Sequence, residues 1–128
     1  MELKDEAQLL RIFLGESDHL KHTALHEVIV REARRMELAG ATVWRGIMGF
    51  GHTSRLRTAK ILDLSTDLPI IVEIADTEEK INQFLPVLHD LFAAAQCGGL
   101  VTVEAVKVIH YLHGQGGSAG QAGRDARP

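Results

Sequence analysis

A chain of 128 residues is long enough for one domain with its own core. Its 45% hydrophobic and 24% charged residues are ordinary for a globular protein, and a net charge of -3 gives no overall pull toward nucleic acid. With aromatics at only 5%, base stacking is not the expected mode of recognition.

The single cysteine, Cys97, excludes an internal disulfide and points to a reducing compartment. No apolar run reaches the ~18 residues of a membrane helix. The start, MELKDEAQ, is charged where a signal peptide would be apolar, so the expected location is the cytoplasm.

Gln8 to Gly15, QLLRIFLG, is short and strongly apolar and reads as a buried strand. Gly15 to His22 is polar and reads as a loop. A helix is expected from about Thr23 to Leu38, with Leu25, Val28, Ile29, Ala33 and Met36 at helical spacing and Gly40 as its left-handed C-cap. A second strand covers Ala41 to Phe50. Alternation sets Val43, Arg45 and Ile47 on one face and Thr42, Trp44, Met48 and Phe50 on the other.

A third strand starts near Arg57, is interrupted at Ser65-Thr66-Asp67, and resumes as PIIVEI from Pro69. Asp76 with Glu79 reads as a capping box opening a helix to about Ala95. Pro86 should kink or split that helix, and Gly98-Gly99 should end it. A last strand covers Val101 to Tyr111, with a turn expected within Thr102 to Ala105. The stretch GQGGSAGQAGRDARP has no large apolar side chain and reads as a flexible tail.

The expected organisation is an N-terminal extension over 1–7, one domain over 8–113 and the Gly-rich tail over 114–128. The order β-α-β-β-α-β predicts an α+β, ferredoxin-like fold, in which two helices cover one face of a four-stranded antiparallel sheet. Several strands are apolar on both faces: Leu9 and Phe13 lie against Leu10, Ile12 and Leu14. Two helices cover only one face, so a second copy of the chain is expected on the other.

The candidate site lies in Gly40 to Leu62, GATVWRGIMGFGHTSRLRTAKIL. It holds Arg45, Arg55, Arg57 and Lys60 and no acid. Gly49, Gly51, His52, Thr53, Ser54, Arg55 and Arg57 form a Gly-rich basic connection between strands. Glycines let backbone N–H groups approach a phosphate or carboxylate, and arginine adds paired donors. The competing reading is a β-hairpin whose glycines serve the turn and whose arginines pair elsewhere. Trp44 reads first as core or interface packing, with ligand stacking as the alternative.

His22 and His26, four apart, are weak metal-ligand candidates, and no Cys or carboxylate pattern completes a site. Ser17-Asp18-His19 has the residue types of a catalytic triad, but adjacency does not make one. Nothing in the chain makes a case for an enzyme.

AGATVWRGIMGFGHTSRLRTAKI, DLPIIVEIADTEEKINQFLP and GLVTVEAVKVIHY closely resemble the PII-like proteins of the domain-of-unknown-function family 190, over about Leu10 to Tyr111. More distantly, the layout resembles the PII nitrogen-signalling proteins. That resemblance implies a homotrimer of ferredoxin-like subunits with an adenine nucleotide or another small anionic ligand in the cleft between subunits. It implies a regulated partner, such as a membrane transporter or channel; the near-neutral charge gives no case for nucleic acid. Thr42-Val43 and Gly49-Phe50-Gly51 stand where PII proteins carry a Thr-Val pair and the base of their effector loop.

The chain departs from the PII pattern in three ways. The loop after Gly51 is short. It has no tyrosine, so uridylylation is excluded. Cys97-Gly98-Gly99-Leu100 stands where a Gly-Asp-Gly-Lys phosphate turn is expected. The alternatives are a trimeric, CutA-like metal-binding protein using its histidines, and a ligand-free interaction scaffold.

Overall fold

In a computed structural model of the chain, residues 6–51, 56–59 and 67–112 are described. The elements run β1 (Glu6–Gly15), β2 (His19–Leu20), β3 (Thr23–Ala24), α1 (Leu25–Arg35), β4 (Thr42–Arg45), β5 (Met48–Gly49), β6 (Arg57–Thr58), β7 (Pro69–Asp76), α2 (Glu78–Ala95) and β8 (Leu100–Lys107). Four strands form one antiparallel sheet in the order β4-β7-β1-β8, with β1 central between β7 and β8. This is the expected ferredoxin-like α+β arrangement.

Alternation from Leu10 onward in β1 and throughout β7 sorts the two faces. Leu10, Ile12 and Leu14 of β1 and Ile70, Val72 and Ile74 of β7 point to the helices, where they meet Leu25, Ile29, Ala33, Ile81, Phe84 and Leu88 in one buried core. The helices cover the central strands only. On the edge strands the core-side valines stay partly open: Val43 at 39%, Val101 at 38% and Val103 at 40% exposure.

The other face carries Leu9, Arg11 and Phe13 of β1, Ile71 and Glu73 of β7, Thr42 and Trp44 of β4, and Leu100, Thr102 and Glu104 of β8. Among the described residues no helix lies over it. The two-faced apolar strands anticipated from sequence are therefore present.

Several local expectations are corrected. The polar loop after Gly15 contains a short hairpin, β2 paired with β3. Helix α1 ends on Glu37 rather than Gly40. Glu37 takes φ 63, its N–H reaches Arg34 O, and Leu38 N–H reaches Ala33 O. This is a Schellman end, and burying Leu38 against the core offsets the left-handed backbone of a glutamate.

The capping residue of α2 is Thr77, whose hydroxyl accepts from Lys80 N. Asp76 closes β7 instead. Pro86 does not split α2, which runs unbroken from Glu78 to Ala95. One ladder bond is lost at Pro86, but Phe84 and Leu88 are buried on either side of it. The helix stops at Gln96, in the left-handed region at φ 56, ahead of the glycines. Strand β8 passes straight through Thr102–Ala105 in register with β1, without a turn, and ends at Lys107. The expected tail, residues 114–128, lies outside the described residues.

Candidate functional site

The expected second strand is broken at Gly46. Its N–H donates to Pro69 O at 2.7 Å, after which the chain leaves the sheet as β5. β5 pairs with β6 through Met48↔Thr58 and Gly49↔Arg57, and Ala59 N–H closes on Ile47 O at 2.9 Å. The result is a small two-stranded ribbon rising from the end of the sheet where β1 ends and β7 begins.

One glycine of this stretch, Gly49, serves packing. A Cβ on Gly49 would come 3.0 Å from Pro69 Cγ, and one on Gly46 would come 3.4 Å from Pro69 Cβ. At Gly49 a side chain would crowd the start of β7, whereas the distance at Gly46 is an ordinary contact. Gly51 has open space around it.

The acid-free stretch does not stay uncompensated. Arg45 Nη2 lies 2.7 Å from Glu16 Oε2, and Arg57 Nη1 lies 2.6 Å from Asp67 Oδ2. Glu16 follows β1 and Asp67 precedes β7, so both acids come from outside the basic segment. Of its four cations, the two described ones are paired; Arg55 and Lys60 lie outside the described residues.

The predicted site residues therefore divide into groups. Arg45, Gly49 and Arg57 gather at the ribbon base. Thr42 and Trp44 lie on the open sheet face. Phe50, 70% exposed, and Gly51 lead toward the tip. His52, Thr53, Ser54 and Arg55 fall outside the described residues.

The open face carries a polar ladder that was not singled out from sequence. Trp44 Nε1 donates to Glu73 Oε1 at 3.0 Å. Arg11 Nε donates to Glu73 Oε2 at 2.8 Å, and Arg11 Nη1 to Glu104 Oε1 at 2.6 Å. The register explains it: Arg11 stands directly opposite Glu73 on one side and next to the Glu104 strand on the other. A visible signal existed, since Arg11 and Glu73 are charged residues inside otherwise apolar strands.

The Arg11 and then the Trp44 hydrogen bonds hold the Glu73 carboxyl below the usual carboxylate range. The sign follows: this stabilisation is complete above the unfolded glutamate value of about 4.3 and is lost as pH falls through the depressed native value. Urea midpoints measured from pH 6 to pH 3 should fall more steeply for the native chain than for E73Q. Equal slopes would remove Glu73 from the ladder's energetics.

The remaining candidates stay apart. Asp18 Oδ2 accepts from Gly15 N–H at 2.9 Å, and His19 Nδ1 lies 2.9 Å from Ser17 O, so Ser17-Asp18-His19 holds a turn and forms no triad. His22 sits in the β2–β3 turn, just ahead of α1, while His26 lies in α1. Among the described residues no group of three or more His, Cys, Asp or Glu could hold a metal.

Burial, and then Asp18, raise the Cys97 thiol above its ordinary value. Iodoacetamide should alkylate it more slowly than free glutathione at pH 8; an equal rate would contradict that environment. A cleft of about 680 Å³ lined by Glu6, Gln8, Glu78 and Lys107 lies at the opposite end of the sheet from the ribbon. Among the described residues no helix is long and apolar enough to cross a membrane.

This architecture has relatives. A PII-like protein of Thiomonas intermedia, CPII, described as nitrogen regulatory and bound to ADP, AMP and bicarbonate, is similar with a TM-score of 0.61 and 21% identity, over 80% of this chain and 88% of that one. A protein of Thermus thermophilus described as PII-like and signalling gives a TM-score of 0.58 and 24% identity, over 84% and 93%. At these identities the likeness establishes a PII-like fold.

In sequence, an Aquifex aeolicus protein named only as UPF0166 is 38% identical over 103 residues, 80% of this chain and 93% of its own length. The family model DUF190, described as "Uncharacterized ACR", matches residues 7–108. The chain therefore belongs to the DUF190 (UPF0166) family and carries a PII-like fold.

Proposed function

We propose that this protein is a PII-like regulator without catalytic activity. It assembles as a homotrimer in the cytoplasm and binds a small anionic metabolite, an adenine nucleotide, where the ribbon of one copy meets the next. The carrying observation is the second apolar face of the sheet. Leu9, Phe13, Ile71, Trp44 and Leu100 lie on it beside the ribbon, and an uncovered face of this kind calls for a partner.

Ile47, Met48, Phe50 and Leu56 in and beside the ribbon are exposed as well and add apolar surface for a partner. A ligand held at such a junction meets residues of two copies at once, so its occupancy is sensed by the assembly. The nucleotide class is supported by the ADP and AMP bound to the Thiomonas protein of the same fold. The ligand-binding residues proposed are Thr42, Trp44, Arg45, Gly49, Phe50, Gly51, His52, Thr53, Ser54, Arg55 and Arg57. Binding changes the ribbon's presentation to a partner, such as a membrane transporter or channel.

Isothermal titration with ADP, AMP and ATP tests the ligand. Saturable heat with at least one of them, together with a raised melting temperature, is expected. No heat and no thermal shift with any of the three would refute the nucleotide reading.

A further inference from the structure

We propose that the Arg57–Asp67 ion pair is an exchangeable latch: an anion that takes Arg57 loosens both the ribbon and the segment leading into α1. This rests on the reading above that an anion binds beside the ribbon.

Asp67 faces two ways. Its Oδ2 holds Arg57 Nη1 at 2.6 Å, while its Oδ1 accepts from Ser17 N–H at 3.0 Å. Ser17 belongs to the turn after β1. The next residue, Asp18, accepts from Gly15 N–H with Oδ2 and from Leu25 N–H, the first residue of α1, with its carbonyl at 2.8 Å. A continuous line thus runs from Arg57 through Asp67, Ser17 and Asp18 to Leu25.

The other leg of the ribbon is tied to the same turn. Glu16 pairs with Arg45 through Oε2 and accepts from Leu68 N–H through Oε1, while Glu16 N–H donates to Leu68 O. Gly15 sits at the crossing. A Cβ there would come 3.1 Å from Arg57 Nη1, 3.3 Å from Asp67 Oδ1 and 3.4 Å from Asp18 Oδ2. The absence of a side chain at Gly15 leaves the pair its room.

The charges also suit exchange. The Arg57 and Asp67 side chains keep 26% and 23% of their exposure, so they are shielded enough to pair and open enough for a solution anion to reach. Pairs of this kind are individually weak, and a ligand with a stronger negative charge can displace the carboxylate. Once Arg57 turns away, Asp67 has lost one of its two anchors, and its hold on Ser17 weakens with it.

Hydrogen exchange on the full chain, with the variants R57Q and R57K, tests the latch. R57Q should raise exchange about fivefold both in the ribbon and over Ser17–Leu25, to which Arg57 is linked through Asp67, and R57K should restore protection in both. A change confined to the ribbon in R57Q overturns the proposal, as does an R57K that behaves like R57Q.

ADP added to the native chain should reproduce the R57Q pattern. ADP that binds by calorimetry and leaves both segments protected overturns the latch while the nucleotide reading stands. If ADP gives no heat, the nucleotide reading fails and inorganic phosphate decides the latch. Loosening of both segments then supports it, and unchanged exchange overturns it.

Discussion

Asp76→Ala is expected to destabilise the fold by about 3 kcal/mol, read as a lower urea midpoint with an unchanged m value at fixed protein concentration. Asp76 is fully buried at the end of β7. Its Oδ2 accepts from Ala39 N–H at 2.8 Å and its Oδ1 from Thr77 N–H at 2.6 Å. The carboxylate therefore joins the loop after α1 to the start of α2. Two neighbouring bonds strengthen the same junction: Lys80 Nζ donates to Met36 O, and Tyr111 hydroxyl to Ala39 O, each at 2.9 Å.

Truncation to alanine leaves two backbone donors without their acceptors, and the unmet donors, more than the lost bonds, set the size of the effect. Asp76→Asn keeps one acceptor oxygen and should lose about half as much. A change below about 0.5 kcal/mol for alanine, the level of an ordinary surface substitution, would contradict this role.

Gly99→Ala is expected to cost about 2 kcal/mol. A Cβ there would lie 2.7 Å from Phe92 Cε1, 2.9 Å from Phe92 Cζ and 2.8 Å from Phe13 O. Phe92 packs against the core and Phe13 belongs to the central strand, so neither moves freely. The turn into β8 needs glycine here for space, whatever it does for a ligand. Phe92→Leu removes the ring atoms that clash. In the G99A background it should therefore cost less than it does alone, and a double-mutant cycle measures the difference. Additive losses would show that the ring is not the obstacle.

The architecture was legible where periodicity carries it. Gln8–Gly15 and Pro69–Ile74 are short apolar runs and α2 repeats its apolar residues through Ile81, Phe84 and Leu88, so the β-α-β-β-α-β order, and with it a four-stranded sheet with two helices on one face, followed from pattern. Local signals misled where tertiary contacts overrode them. Asp76 has the residue type and spacing of a helix cap, yet burial against Ala39 draws it into the sheet, and Thr77 caps instead. Gly40 has the residue type of a helix stop, yet Glu37 takes the left-handed position because Leu38 gains a place against the core.

The site shows the same limit. Gly40 to Leu62 is free of acid along the chain, but folding brings Glu16 and Asp67 to Arg45 and Arg57. Pairing between distant residues leaves no local trace. The Trp44–Glu73–Arg11–Glu104 ladder was partly visible, since a charge inside an apolar strand needs a partner. Which partner it finds depends on the register, which only the assembled sheet reveals.

In the proposed assembly the open sheet face lies inside and the junctions between copies hold the ligand. Sedimentation equilibrium at micromolar concentration tests it most directly. A single species of three times the 14.1 kDa chain mass is expected. A species of 14.1 kDa, with Trp44 and its neighbours left in water, would contradict it.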